Sequence, residues 1–130
     1  MIMQLDFTCD TPIYKQIRDQ LVLGIAGGRL SPGERLPTIR SLANEAGVNV
    51  MTVNKAYQLL KQEGHIATDR RGGTVVAGHA EEALASGAAM ELRLAAASAQ
   101  LSGIQREQWL AECARAYDSL DDEMRERGRR

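Results

Sequence analysis

A chain of 130 residues, 44% apolar and 25% charged, has room for one ordinary domain or a small domain with an appendage; a catalytic domain of roughly two or three hundred residues is excluded. The net charge of −1 hides a polarity, because residues 1–78 carry nine Lys/Arg against seven Asp/Glu and residues 79–130 carry seven against ten. A weakly basic front and an acidic back result, which agrees with a DNA-facing first half but decides nothing alone.

Cys9 and Cys113 are the only cysteines, with no C-x-x-C or Cys/His spacing, so neither a disulfide framework nor a zinc site is expected, and no cofactor. The opening MIMQLDFTCD has no basic n-region or apolar h-region, and no run reaches the length of a membrane span. The expectation is a cytoplasmic protein with reduced thiols and no membrane partner.

In chain order, Thr11-Pro12 reads as an N-cap followed by proline at the first helical position, where its missing N–H is harmless. Ile13, Ile17, Leu21 and Ile25 recur every four residues, predicting a helix from about Pro12 to Ala26 with one core-facing stripe. Gly27-Gly28 stops it, and Ser31-Pro32-Gly33 turns the chain into a short extended piece at Arg35-Leu36. Pro37 and Thr38 open a second helix, Ile39 to about Ala46, with Ile39, Leu42, Ala43 and Ala46 on its apolar side. Gly47 ends it, Asn49 can cap the next, and Val50 to Glu63 shows Val53, Ala56, Tyr57 and Leu60 on one face before Gly64 closes the helix. Two short helices joined by a tight glycine turn make a helix-turn-helix. His65 to Thr68 and Thr74 to Val76 then flank Asp69-Arg70-Arg71-Gly72-Gly73 as a hairpin with a basic tip, a wing.

Beyond Gly78 the chain becomes alanine-rich. Leu84, Gly87, Met90 or Glu91, Leu94, Ala97 and Leu101 fall at helical spacing over about Ala80 to Gln100. Ser102-Gly103 interrupts the pattern, and Trp109, Cys113, Ala116, Leu120 and Met124 resume it before a polar RERGRR end expected to fray. Two amphipathic helices of this size rarely supply their own core, so Leu84, Leu94, Leu101, Trp109 and Leu120 are read as dimerisation residues facing a second copy. Trp109 suits a core or dimer anchor better than a ligand platform.

A helix-turn-helix sets the start of its second helix in the major groove. On the face opposite the core stripe that helix offers Asn49, Val50, Met51, Thr52, Asn54, Lys55 and Gln58. Asn54 can pair with an adenine edge, Thr52 can bond a phosphate or base, Val50 or Met51 can touch a thymine methyl, and Lys55 can hold a phosphate. Arg40 lies beside the groove, and Arg70 and Arg71 can enter a minor groove while Gly72 and Gly73 permit a tight turn.

PIYKQI, GRLSPGERLPTIRSLANEAGVNVMTVNKAYQLLKQEGHI and RRGGTVV together resemble the DNA-binding domain of GntR-family regulators over Pro12 to Val76. The resemblance implies three helices and a two-stranded wing, operator binding as a dimer, and commonly repression relieved by a small-molecule effector. It also implies DNA contacts at Arg40, at Asn49 to Thr52, at Asn54 and at the wing glycine Gly72. The family often has a basic or small polar residue where Val50 stands and an arginine where Asn54 stands, so its base preference does not carry over. A further basic residue often separates the two wing glycines and is absent here. The short tail is similar to that of the YtrA-type subfamily, whose two C-terminal helices dimerise.

The expected architecture is therefore mainly α: residues 1–78 a winged helix-turn-helix, residues 79–130 a two-helix dimerisation region. The expected partners are double-stranded DNA with a two-fold operator, a second copy of the chain, and a small-molecule effector held between the four helices of a dimer. A winged helix that binds protein instead of DNA is the alternative, distinguished by the salt dependence of DNA retardation. No phosphate loop, nucleophile with a nearby base, or metal cluster supports an enzyme.

Overall fold

The computed structural model describes residues 3–78 and 86–128. The chain divides into two compact units, residues 1–79 and 80–130. Among the described residues seven elements follow in order: α1 (Ile13–Ala26), α2 (Ile39–Ala46), α3 (Val50–Gln62), β1 (Ile66–Thr68), β2 (Thr74–Val76), α4 (Ser86–Leu101) and α5 (Arg106–Gly128). This is the mainly α winged helix-turn-helix with a helical tail that the sequence pattern called for. Among the described residues no helix is long and apolar enough to cross a membrane.

In the first unit α3 is the central element, packed against α1, α2 and β1. Val53, Ala56, Tyr57 and Leu60 point inward at helical spacing and meet Ile17 and Leu21 of α1, Leu42 and Ala43 of α2, and Leu36, Ile66 and Val76 from the wing side. Removing these side chains from water supplies the driving force, at about 25 cal/mol per Å² of apolar surface. One polar contact sits at the margin of this core, where the Tyr57 hydroxyl donates to the Pro37 carbonyl at 2.7 Å. On α1, Arg18 forks onto Glu63 at 2.8 and 2.5 Å and reaches Asp19 at 2.9 Å, tying the first helix to the end of α3.

The start of α1 departs from the sequence reading. Pro12, not Thr11, occupies the cap position, with no side-chain cap bond, and the helix begins at Ile13. Thr11 contributes its carbonyl instead, accepting from Gln16 Nε2 at 2.9 Å. The same Gln16 exchanges two 2.8 Å bonds with the backbone of Asp6, and Gln20, one turn on, exchanges two with that of Gln4. Two glutamines at i and i+4 thus strap the N-terminal segment along α1, where Met3 and Leu5 rest on the core.

The wing also has a third member. β1 and β2 pair antiparallel with Ile66 opposite Val76 and Thr68 opposite Thr74. On the other side of β2, Leu36 N donates to Thr74 O at 2.9 Å and Val76 N to Glu34 O at 2.9 Å, with Arg35 bridged to Val75. The short extended piece is therefore an edge partner of the hairpin.

The second unit has a different character. α4 turns into α5 through Gly103, whose φ of +80° suits glycine, with Ile104 N donating back to Ala99 O at 2.9 Å. Among the described residues α4 and α5 share no extended packing, and Ala99 alone is buried. The described part of the expected stripe, Gly87, Met90, Leu94, Ala97 and Leu101, is exposed, Leu94 at 60% and Leu101 at 90%. Trp109, Cys113 and Leu120 of α5 are half-buried. Leu84 and the expected helix start at Ala80 lie outside the described residues. The C-terminal end differs from expectation too, since α5 stays helical to Gly128 where fraying was expected from Arg125.

Candidate nucleic-acid interface

The turn between α2 and α3 follows from local chemistry. Thr38 caps α2, its hydroxyl accepting from Ser41 N at 3.0 Å. Gly47 ends the helix at φ +69°, a left-handed conformation that an L side chain rarely adopts. Asn49 then caps α3, its Oδ1 accepting from Met51 N at 2.7 Å. Asn49 thereby commits one lone pair of its oxygen to the cap, leaving its amide NH2 and the second lone pair to meet another group.

This capped start fixes which way α3 faces. With Val53, Ala56, Tyr57 and Leu60 buried, the opposite face presents Val50 at 42% exposure and Met51 at 68%, with Lys55 and Gln58 also exposed and Thr52 and Asn54 half-buried. Val50 and Met51 thus stand as two adjacent exposed apolar side chains at the head of the helix. Arg40 is exposed on the first turn of α2. The ammonium of Lys55, the expected phosphate ligand, rests 4.1 Å from the centroid of the Tyr14 ring on α1, a cation–π contact that orients the side chain without neutralising it.

The wing loop is held from within. Gly72, at φ +83°, donates to Asp69 O at 3.1 Å, and Asp69 N donates to Gly73 O at 2.8 Å, closing the turn. Asp69 Oδ1 accepts from Arg71 N at 2.9 Å and Gly73 N at 2.8 Å, while its Oδ2 accepts from Arg35 Nη2 at 2.6 Å. Arg70 and Arg71 are exposed at the tip. The Asp69 contacts were missed in the sequence, where Asp69 reads only as a turn residue. Aspartate two residues before a backbone donor is a recognisable turn signal, but nothing local announces an arginine 34 positions upstream.

The gntR family of bacterial regulatory proteins matches residues 13–76, the stretch from the first residue of α1 to the last of β2. A solved structure of YtrA from Sulfolobus acidocaldarius, described as a GntR-family transcription factor, is 37% identical, with a TM-score of 0.59 over 92% of this chain and 99% of that one. The chain belongs to the GntR family. Within it the likeness is to the YtrA type, and it extends into the two-helix tail. The HTH-type transcriptional repressor YtrA of Bacillus subtilis is 40% identical over 86 residues, 66% of either chain. The DNA-binding domain of AraR, solved in complex with operator ORX1, is 26% identical with a TM-score of 0.53 over 59% of this chain and 96% of that one. The chain matches between 61% and 66% of the length of three curated relatives.

Proposed function

We propose that this GntR-family chain is a sequence-specific DNA-binding transcription regulator acting as a dimeric repressor. In this reading Arg40, the front of α3 from Asn49 to Gln58, and the wing tip at Arg70, Arg71 and Gly72 form one surface fitted to duplex DNA. The observation that carries it is the division of α3: one face fully committed to the core, the other offering Val50, Met51, Thr52, Asn54, Lys55 and Gln58 from a capped N-terminus. Exposed apolar groups suit thymine methyls, and the half-buried Asn54 amide suits an adenine edge.

The dimer rests on the second unit, where Leu94 and Leu101 of α4 are exposed and Trp109 and Leu120 of α5 are half-buried. Leu94 and Leu101 of α4, with Trp109 and Leu120 of α5, would meet those of a second copy, placing two α3 helices about 34 Å apart on a two-fold operator. A small-molecule effector would occupy the hollow of about 470 Å³ at the α4–α5 elbow, lined by Ala96, Ala99, Ile104, Arg106 and Trp109, once the second copy closes it.

Binding titrations on a selected operator and on a mixed-sequence duplex test the DNA reading. Arg40→Ala should weaken both to a similar degree, as loss of a phosphate contact does, whereas Asn54→Ala should weaken the operator about tenfold more than the mixed duplex. An equal loss on both duplexes for both variants would remove base readout from α3.

A further inference from the structure

Asp69 is out of place on a surface meant for phosphates. A carboxylate beside Arg70 and Arg71 repels the DNA backbone, and Coulomb's law alone says that binding should improve without it. Its geometry points the other way. The carboxylate makes three hydrogen bonds: to the backbone N–H groups of Arg71 and Gly73, and to the guanidinium of Arg35, which arrives from the edge segment paired to β2. An isolated ion pair with one partner 55% exposed contributes little to stability, but this pair fixes the far end of a carboxylate whose near end defines the loop.

Gly73 completes the arrangement. A Cβ built there would lie 2.4 Å from Arg35 Nη1, so the guanidinium lies directly against the loop backbone in space that glycine leaves open. The loop is thus clamped from below by Arg35 and from within by Asp69, with the side chains of Arg70 and Arg71 left outside the clamp.

We propose that Arg35 and Asp69 form a latch that presets the wing loop for DNA, making Arg35 a positioning residue for Arg70 and Arg71 and making Asp69 favourable to binding despite its charge. A loop already held in its binding conformation does not have to be ordered when it meets the minor groove. The proposal rests on the DNA-binding reading above and deepens it.

The two effects of Asp69 have opposite signs, so one substitution separates them. Asp69→Asn keeps an oxygen for the two backbone donors and turns a donor, or nothing, toward Arg35. Affinity for a mixed-sequence duplex, measured by fluorescence anisotropy with the full chain, should fall about fivefold if the latch governs, and should rise if charge governs. Arg35→Met, which keeps the stem over Gly73 and removes the guanidinium, should give a similar fall.

Both losses should vanish when Arg70→Ala and Arg71→Ala are already present, because the latch acts through those side chains. An Arg35 that bound phosphate directly, or merely held the fold together, would still lose affinity in that background. Tighter or unchanged binding by Asp69→Asn in the otherwise native chain overturns the latch while leaving the DNA reading intact. Absence of salt-dependent duplex binding by the native chain overturns both.

Discussion

Around α3 the first unit gathers eleven buried apolar residues from three helices and the wing, whereas the described part of the second unit buries Ala99 alone. The contrast is not one of composition, since α4 is rich in alanine and leucine and carries Met90, Leu92, Leu94 and Leu101. It is one of arrangement. In the first unit every apolar stripe finds another within the same unit, so the fold is complete at about the size where a single core begins to suffice. In the second, helices of 16 and 23 residues meet at an elbow, with Met90, Leu94 and Leu101 of α4 exposed and Trp109 and Leu120 of α5 only half-buried. In proteins, packing of an apolar face, more than intrinsic propensity, is what stabilises a helix. On the reading proposed above, the DNA-reading unit is finished within one chain, whereas the second unit would be finished only by a second copy.

The largest effect should come from breaking the second unit. Leu94→Glu with Leu101→Glu places charges where a second copy would bury leucine, and sedimentation equilibrium should show the molar mass halved. Operator affinity should drop by about a hundredfold or more, because two linked half-sites become two separate ones. The thermal transition of the first unit should survive, since neither leucine belongs to its core. An unchanged mass would show that these side chains face solvent in solution and that the copies meet elsewhere.

Leu94 and Leu101 stand out in the sequence by helical spacing alone, whereas other features of the fold do not. The helix-turn-helix was legible because its determinants are local: Gly47 supplies the left-handed turn, Asn49 the cap, and the 3.6-residue period of Val53, Ala56, Tyr57 and Leu60 the buried face. Thr11 misled for a reason that is also physical. A hydroxyl before proline is a good cap in isolation, but here Gln16 takes the Thr11 carbonyl and straps the preceding segment, so the helix starts one residue later. The pairing of Glu34 to Leu36 with β2, and the reach of Arg35 to Asp69, are contacts between segments more than thirty residues apart, and no periodicity encodes them. For the proposed DNA face the sequence supplies residue types and exposure; it does not show that Asn49 spends its oxygen on Met51 N or that Lys55 rests on Tyr14.

A smaller effect should separate the first unit's self-sufficiency from any help the tail provides. Arg18 and Glu63 have side chains only 11% and 15% exposed, and their two-bond fork joins α1 to the end of α3. The Glu63 hydrogen bond is the main reason the Arg18 guanidinium holds its proton more firmly than usual, burial working against it. Glu63→Gln removes the compensating charge and leaves a largely desolvated guanidinium with Asp19 as its remaining carboxylate. A loss of about 2 kcal/mol is expected, or a fall of about 10 °C in Tm for a unit of this size. The fall should be the same in the Leu94→Glu, Leu101→Glu background if the first unit stands alone. A different fall in the two backgrounds would show that the units share stability.

The subtlest test of that independence is a change of sign. Tyr57 is buried at the centre of α3, and burial pushes its hydroxyl up to about 12. Tyr57→Phe removes the bond to the Pro37 carbonyl, which should cost about 1 kcal/mol near neutral pH. Ionisation works in the other direction. In the unfolded chain the phenol loses its proton near pH 10, so the stability associated with keeping it neutral is complete below that pH and drains away as pH rises toward 12. Across that interval the native chain should lose about 2 kcal/mol that the phenylalanine variant does not, at about 1.4 kcal/mol for each pH unit of difference. The two stability curves should therefore cross above pH 10, the native chain being the more stable below the crossing and the variant above it. Tyr14 and Tyr117 are common to both proteins and cancel in the comparison. Curves that stay parallel to pH 12 would mean that water reaches the Tyr57 hydroxyl, and the core that makes the first unit complete would be looser than its packing indicates.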